Sequence, residues 1–394
     1  MNILAISTRI PAPGRKGDQV VAFYRLAHLV KRGHSVRLIC FGDNFKRDDL
    51  DARTSLQALG IHVVLIKWSP FEAFFNLFLA IPNTAMPFQV ALFKSRIFSA
   101  EVSTAIDSFK PDLLYCITIR VSQNIPIKYS EFVIDFIDSM ILNFSRRKNT
   151  GGFFEKFIYS LELSRLKKFE INLANMSRRS FVVSELDRRA IGSEKIHVTP
   201  LGIDLNQFFK RDIIIYDPVI VFSGNMSYQP NIDAVVWFLK NCWNKLKSEN
   251  SNIRFIITGS DPHSQILELS SGDPNILVTG RVTSIADVLR TAMIAVAPMQ
   301  SGSGMQFKIL EAMACGVPVI ATTLGLGNIN ASVGNDLFVS DTPDEFVQTI
   351  IKLIEDFSLR QRVGESGRNF VFRSHSWSAL NSIFETRLIE SLDL

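Results

Sequence analysis

Short apolar runs of strand character recur along the chain, each followed by an amphipathic stretch, and this alternation restricts the fold more than any other feature. The first half reads NILAIS, a helical segment from about Gln19 to Lys31 closed by Gly33, then SVRLIC, HVVLI, DLLYC, FVIDF, SFVVS and IHVTP. The second half restarts with VIVFSG, a helix over Ile232 to Lys245, RFIITG, ILVTGRV, MIAVAP, PVIATT and DLFVS, and closes with helices near Thr342 to Asp356 and Ser376 to Ser391. Unbroken Val/Ile/Leu runs separated by helices are the pattern of parallel strands covered on both faces. An α/β chain with a doubly wound parallel sheet in each half is therefore expected. The chain has 394 residues, 47% of them hydrophobic. That is too long for one typical core and suits two domains of roughly 150 to 200 residues. Turn residues and charges interrupt the pattern in PLGIDLNQFFKRDIIIYDP. This divides the chain into residues 1–199, a linker over 200–218, a second domain over 219–372 and a terminal helical segment over 373–394.

The segment GSGMQFKILEAMACGVPVIAT, Gly302 to Thr322, carries the densest chemical signal. Ser303 and Gly304 let a backbone approach a ligand closely, and Met305 and Gln306 are expected to open a helix whose unpaired N–H groups form an anion site. Lys308 and Glu311 sit three apart, on one helix face, the ammonium suited to phosphate oxygens and the carboxylate to hydroxyl groups. Gly316 and Pro318 end the helix, and VPVIAT reads as a buried strand. By itself, a Gly-rich turn before a helix occurs throughout α/β proteins, and a Lys–Glu pair on one helix face is commonly an ordinary surface pair.

Charge is uneven. Residues 1–200 hold 28 Lys and Arg against 18 Asp and Glu, whereas the remainder is acidic. The first half is thus suited to an anionic partner, and no helix-turn-helix, zinc or RNP-type pattern accompanies the charge, so nucleic acid is not expected. The run FEAFFNLFLAI, Phe71 to Ile81, lies between Pro70 and Pro82 and falls far short of the roughly 20 residues a spanning helix needs. It reads either as a core helix or, with Arg146, Arg147, Lys148, Phe153, Phe154, Lys156, Arg165, Lys167 and Lys168, as a contact with an anionic membrane surface. Cys40, Cys116, Cys242 and Cys315 lack metal-ligand spacing and read as reduced core residues. With no basic leader before a hydrophobic run at the start, no signal peptide is expected, and the localisation read from the sequence is cytoplasmic or peripheral on the cytoplasmic membrane face. The first strand leads into TRIPAPGRKGD and not into G-x-G-x-x-G, which argues against a dehydrogenase.

Taken in order, RIPAPGRKGDQVVAFYRLAHLVKRGHSV, VVSELDRRAI, PLGID, FSGNMSYQPNIDAVVWF, VTGRV and the Gly302 segment resemble a retaining glycosyltransferase of the GT-B fold, sequence family 4. The wording is most similar to enzymes of exopolysaccharide and surface-polysaccharide assembly. The resemblance implies two Rossmann-like domains facing across a cleft, with the acceptor on the first, the donor on the second and the last helix crossing back. It implies a UDP- or GDP-sugar donor, a glycan or lipid-linked acceptor, and neither cofactor nor metal. Residue by residue, it assigns the donor diphosphate to Gly304, Met305, Gln306 and Lys308, the ribose to Glu311, and the base to the Arg281–Val282 backbone. Gly224 and Asn225 match a phosphate-binding turn, without the basic pair that relatives often carry there. Gly17 matches the glycine loop that closes over the donor phosphates and the acceptor, and counts as a donor contact, flanked by the acceptor candidates Lys16 and Asp18. Lys308, Glu311 and Asp138 are the catalytic candidates, with Asp135 a further acceptor contact.

Two departures keep other readings open. The family's Glu-x7-Glu places Ser303 where the first glutamate stands, and Ile137 precedes Asp138 where many relatives have histidine. A serine hydroxyl can donate or accept a hydrogen bond but carries no charge. An inactive relative that binds a glycan or a partner, and a GT-B nucleotide-sugar epimerase, therefore stand beside the transferase. The Asp49–Asp51 pair falls in KRDDLDAR and reads as a solvated helix start.

Overall fold

The computed structural model describes residues 1–13, 17–127, 129–150, 153–210, 215–301, 306–327 and 329–392, without the side chains of 146–150 and 153–155. Two compact units emerge, Met1–Leu201 with Leu380–Leu394, and Gly202–Ala379.

In the first unit, β1 (Asn2–Ser7), β2 (Ser35–Phe41), β3 (His62–Ile66), β4 (Leu113–Ile117), β5 (Phe132–Ile137), β6 (Arg179–Val182) and β7 (Ile196–Val198) form one sheet in the order β3-β2-β1-β4-β5-β6-β7. Its recorded pairings are all parallel. Strands β4 and β5 are buried along their whole length, as their continuous apolar runs require. The exception is Asp135, a carboxylate in the middle of β5. It is fully buried and ion-paired with Arg25 of the helix Gly17–Lys31. Tyr115 donates to the same carboxylate at 2.5 Å.

The helix Trp377–Ile389 completes this unit through its later turns. The Phe384 ring packs 5.5 Å from Tyr115 and 4.7 Å from Phe181, and lies under the Arg25 guanidinium at 4.6 Å. One turn face over, the Glu385 carboxylate meets His28 at 2.9 Å, Arg32 at 3.0 Å and His34 at 3.0 Å. Burial pushes that carboxyl up, but hydrogen bonds from His34 and His28 and the charge of Arg32 outweigh it and hold the group below its usual range.

In the second unit, β8 (Val219–Ser223), β9 (Arg254–Thr258), β10 (Ile276–Gly280), β11 (Ile294–Ala297), β12 (Val319–Ala321) and β13 (Phe338–Val339) are ordered β10-β9-β8-β11-β12-β13, again with parallel pairings. Phe222, Phe238, Phe255 and Phe346 fill one side of this sheet. Ala-rich residues of the helix Phe307–Ala314 fill the other, which brings that helix close to the strands. The helix expected over Ile232 to Lys245 begins earlier, at Gln229, where Pro230 occupies the first turn and supplies the fixed φ that suits a helix start. All four cysteines are buried and unpaired.

Candidate functional site

In the second sheet the strand order reverses between β8 and β11, so the chain leaves those neighbouring carboxyl ends in opposite directions and opens a crevice. Gly224 and Asn225 follow β8 at this point. The Asn225 side-chain oxygen accepts from the Ser227 backbone N–H at 2.9 Å and from its hydroxyl at 2.8 Å, a local turn that holds the loop. The Asn225 carbonyl accepts from the side-chain amide of Asn231 at 2.8 Å, and the Asn231 side-chain oxygen accepts from the Lys308 ammonium at 2.5 Å.

The other neighbours of that ammonium are the Met299 sulfur at 3.6 Å and the face of the Phe222 ring at 4.6 Å. Among the described residues, every one of its close partners is thus uncharged. Burial pulls the Lys308 pKa down to about 8, opposed by the charge of Glu311. Glu311 lies one turn on, close enough to interact electrostatically but outside ion-pair distance, and no described residue hydrogen-bonds its carboxylate. Burial pushes its pKa up to about 7 against the charge of Lys308. A half-desolvated cation and a half-desolvated anion without mutual contact are each under-compensated, and a ligand carrying both phosphate and hydroxyl groups would satisfy them.

The backbone around them is tightly drawn. Gly224 N–H donates to Thr258, Met226 N–H to Ser260 and Gly259 N–H to Gly280. A Cβ on Gly259 would lie 1.7 Å from the Gly224 carbonyl oxygen, and one on Gly224 would lie 2.7 Å from the Asn231 side chain. Gly259 also holds φ at +145°, open in practice to glycine alone. Through Gly280, the turn carrying Arg281 and Val282 is bonded into this same array of strand ends.

The expected helix opening shifts. Gln306 is extended and caps the helix, whose first residue is Phe307, so Gln306 is not within it. Gly302 to Met305, including Ser303 and Gly304, lie outside the described residues. Lys308, Glu311, Gly224 and Asn225 converge, while Asn231, Phe222, Met299 and Gly259 complete the arrangement without having been singled out in the sequence.

In the first unit, Gly17 is the exposed first residue of its helix and Asp18 pairs with Arg9 at 3.3 Å, whereas Lys16 lies outside the described residues. Asp135 has its oxygens engaged by Arg25, Tyr115 and the Ile137 N–H, which makes it a structural carboxylate. Asp138 is exposed just beyond β5. Two β-branched residues with positive φ, Thr118 at +68° and Ile137 at +64°, sit at the ends of β4 and β5. Such conformations are costly for these residue types and concentrate where a fold holds a functional turn. The Thr118 hydroxyl is 2.6 Å from that of Thr8, just beyond the end of β1, where this sheet's strand order also reverses. No sequence signal marks a threonine for this conformation.

Residues 217–356 match the family described as glycosyl transferases group 1. The second unit carries a group 1 glycosyltransferase domain. Over its full length the chain is similar to a 44.6 kDa protein in the cps region of Klebsiella pneumoniae, 21% identical over 397 residues, covering 97% of this chain and 99% of that protein. A glycosyltransferase of Methanocaldococcus jannaschii is 28% identical over 197 residues, 48% of each chain. The solved structure of Anabaena HepE in complex with UDP-glucose matches with a TM-score of 0.64 at 16% identity, covering 99% of this chain and 100% of that one. The two parallel-sheet units are those of the GT-B fold, and the crevice described above belongs to its group 1 domain.

Proposed function

We propose that this glycosyltransferase is a retaining, metal-independent hexosyltransferase of family 4 that moves a sugar from a UDP- or GDP-sugar to a glycan or lipid-linked acceptor in surface-polysaccharide assembly. The observation that carries this reading is the Lys308 ammonium, partly desolvated among neutral partners at the reversal of strand order. Such a cation is poised for a diphosphate. HepE, matched across its whole length, was solved with UDP-glucose, and the Klebsiella relative comes from a cps region.

In this scheme Lys308 and backbone groups of the Gly302–Gln306 segment neutralise the charge that builds on the departing phosphate, the main catalytic task. Glu311 takes the ribose hydroxyls, Gly224 and Asn225 line the phosphates, and the Arg281–Val282 backbone reads the base. The bond from the anomeric carbon to the phosphate oxygen breaks and the bond to the acceptor oxygen forms on the same face. The acceptor's proton passes to the departing phosphate, so no enzyme nucleophile is needed. Gly17 closes over the donor phosphates, Lys16 and Asp18 beside it are the acceptor contacts, and Asp138 is the further catalytic candidate in this proposal. Asp135, locked to Arg25, is left out of it.

A thermal-shift screen against UDP, GDP and their sugars tests the reading, because a ligand bound only by the folded state raises apparent stability by mass action. A shift with one nucleotide family, lost in Lys308→Ala, supports it. The absence of any shift with either family, in a correctly folded preparation, overturns it. Release of free UDP or GDP from a sugar nucleotide then separates a working transferase from an inactive relative.

A further inference from the structure

The helix Pro70–Ala80 is inside out. Its large apolar residues Phe71, Phe74, Phe75, Phe78 and Leu79 recur at the spacing of one helix face, and that face points to solvent, with Phe71 83%, Phe74 72% and Phe78 65% exposed. The inward side is made of Ala73 and Ala80, with two polar residues turned toward the protein. Glu72 accepts from the Arg96 N–H at 2.7 Å and Asn76 donates to the Lys94 carbonyl at 2.7 Å. An apolar stripe on a globular protein normally faces the core, so burial within this unit does not explain it.

The helix is held firmly in this orientation. Ser69 caps its start, accepting from the Glu72 N–H, and Pro70 occupies the first turn. At the other end the buried Arg165 guanidinium donates to the carbonyls of Ala80 at 2.7 Å, Ile81 at 2.9 Å and Met86 at 3.0 Å. Arg165 belongs to the helix Phe153–Met176, on which Phe157 and Leu161 lie two turns and one turn before it on the same face, both exposed. The apolar surface thus continues from one helix onto the next.

The exposed charge around it is predominantly basic, since Glu72 is turned toward the protein and Glu162 is buried. No acidic residue occurs from Ala73 to Ala100, while Lys94, Arg96, Lys156, Lys167 and Lys168 are exposed. We infer that the helix Pro70–Ala80 is an insertion element that lies in the headgroup plane of an anionic lipid bilayer, its phenylalanine face among the acyl chains and the flanking cations on the lipid phosphates. No helix among the described residues is long and apolar enough to cross a membrane, so the contact is one of surface embedding. The inference stands apart from the donor chemistry.

Sedimentation with vesicles of phosphatidylglycerol and phosphatidylcholine tests it. The native chain partitions onto these vesicles, and added salt weakens the partition without abolishing it, since part of the attraction is apolar. The variant carrying Phe71→Ser, Phe74→Ser and Phe78→Ser loses about tenfold or more in partition, with unchanged melting and unchanged response to UDP. A single Phe74→Trp variant, which keeps an exposed aromatic, shows blue-shifted emission quenched by brominated acyl chains. Equal partition of the triple variant, or Phe74→Trp emission indifferent to brominated lipid, overturns the inference. So does a native dimer that the triple substitution converts to monomer while vesicles bind neither, which would make this face a contact between copies.

Discussion

The Lys308 ammonium and the Asn231 side-chain oxygen lie 2.5 Å apart, although 77 residues separate them in the chain. Asn231 also donates to the Asn225 carbonyl, so one neutral amide links the turn after β8 to the cation of the helix after β11. A carboxylate in its place would hold the ammonium too strongly to release it to a phosphate. The amide orients the charge and leaves it uncompensated.

Lys308→Met should therefore make the ligand-free protein more stable and the site useless. Replacing a partly buried, unpaired ammonium with a thioether of similar length removes a desolvation cost on the order of 1 kcal/mol. Thermal melts should show a raised midpoint, while calorimetric titration should show UDP affinity reduced by about a hundredfold or more, as expected for loss of a charge-assisted contact to phosphate.

The two charged groups give opposite pH dependences. Glu311 titrates at about 7 in the folded chain against 4.5 in the reference state, so the folded form holds the extra proton and its contribution to stability is lost as pH rises through that interval. Lys308 titrates at about 8 against 10.5, so its contribution is lost as pH falls from 10.5 toward 8. Denaturant melts across this range should show Glu311→Gln flattening the acidic arm and Lys308→Met the alkaline one. Binding of UDP should be strongest between the two, where both groups are charged in the free protein.

Gly259→Ala should unfold the crevice. The added methyl would meet the Gly224 carbonyl at 1.7 Å, on a backbone that cannot yield without breaking the Gly259–Gly280 and Gly224–Thr258 hydrogen bonds. A loss of about 3 kcal/mol or more in stability is expected, read by chemical denaturation, with UDP binding lost in parallel.

Glu385→Gln should weaken the first unit selectively. The native carboxylate is held below its usual pKa by His34, His28 and Arg32 despite burial, so its contribution is present above the reference value of 4.5 and is lost as pH falls below it. The variant should lose about 1 to 3 kcal/mol near neutrality. Its stability should converge with that of the native chain in acid. Hydrogen exchange should report the change on the helices Gly17–Lys31 and Trp377–Ile389.

Much of this was legible in the chain itself, and the limits have physical causes. Strand runs such as FVIDF and VIVFSG announce parallel sheets because both faces must be apolar, and Lys308 and Glu311 announce a shared helix face because three residues span most of a turn. Asn231 and Arg25 were invisible because their partners are set by sheet topology, not by spacing. Asp135 in FVIDF had the look of a polar strand-end residue, and only its ion pair with Arg25 reveals a structural acid. The phenylalanines of FEAFFNLFLAI disclose a stripe, but a periodicity carries no sign. Whether that stripe faces in or out is settled by the burial of Ala73 and Ala80.

The seat of Phe384 between Tyr115 and Phe181 has a consequence for how the molecule comes into being. As the chain emerges from the ribosome, the seven-stranded sheet is complete in sequence by Val198, yet the aromatic ring and acid that cover Arg25, His28 and His34 are made only after the second unit. Throughout translation of the second unit the earlier one must wait with a guanidinium and two imidazoles unroofed. Its consolidation therefore waits until the second unit has been made, and a ribosome stalled before Phe384 would display a nascent domain still open on that side.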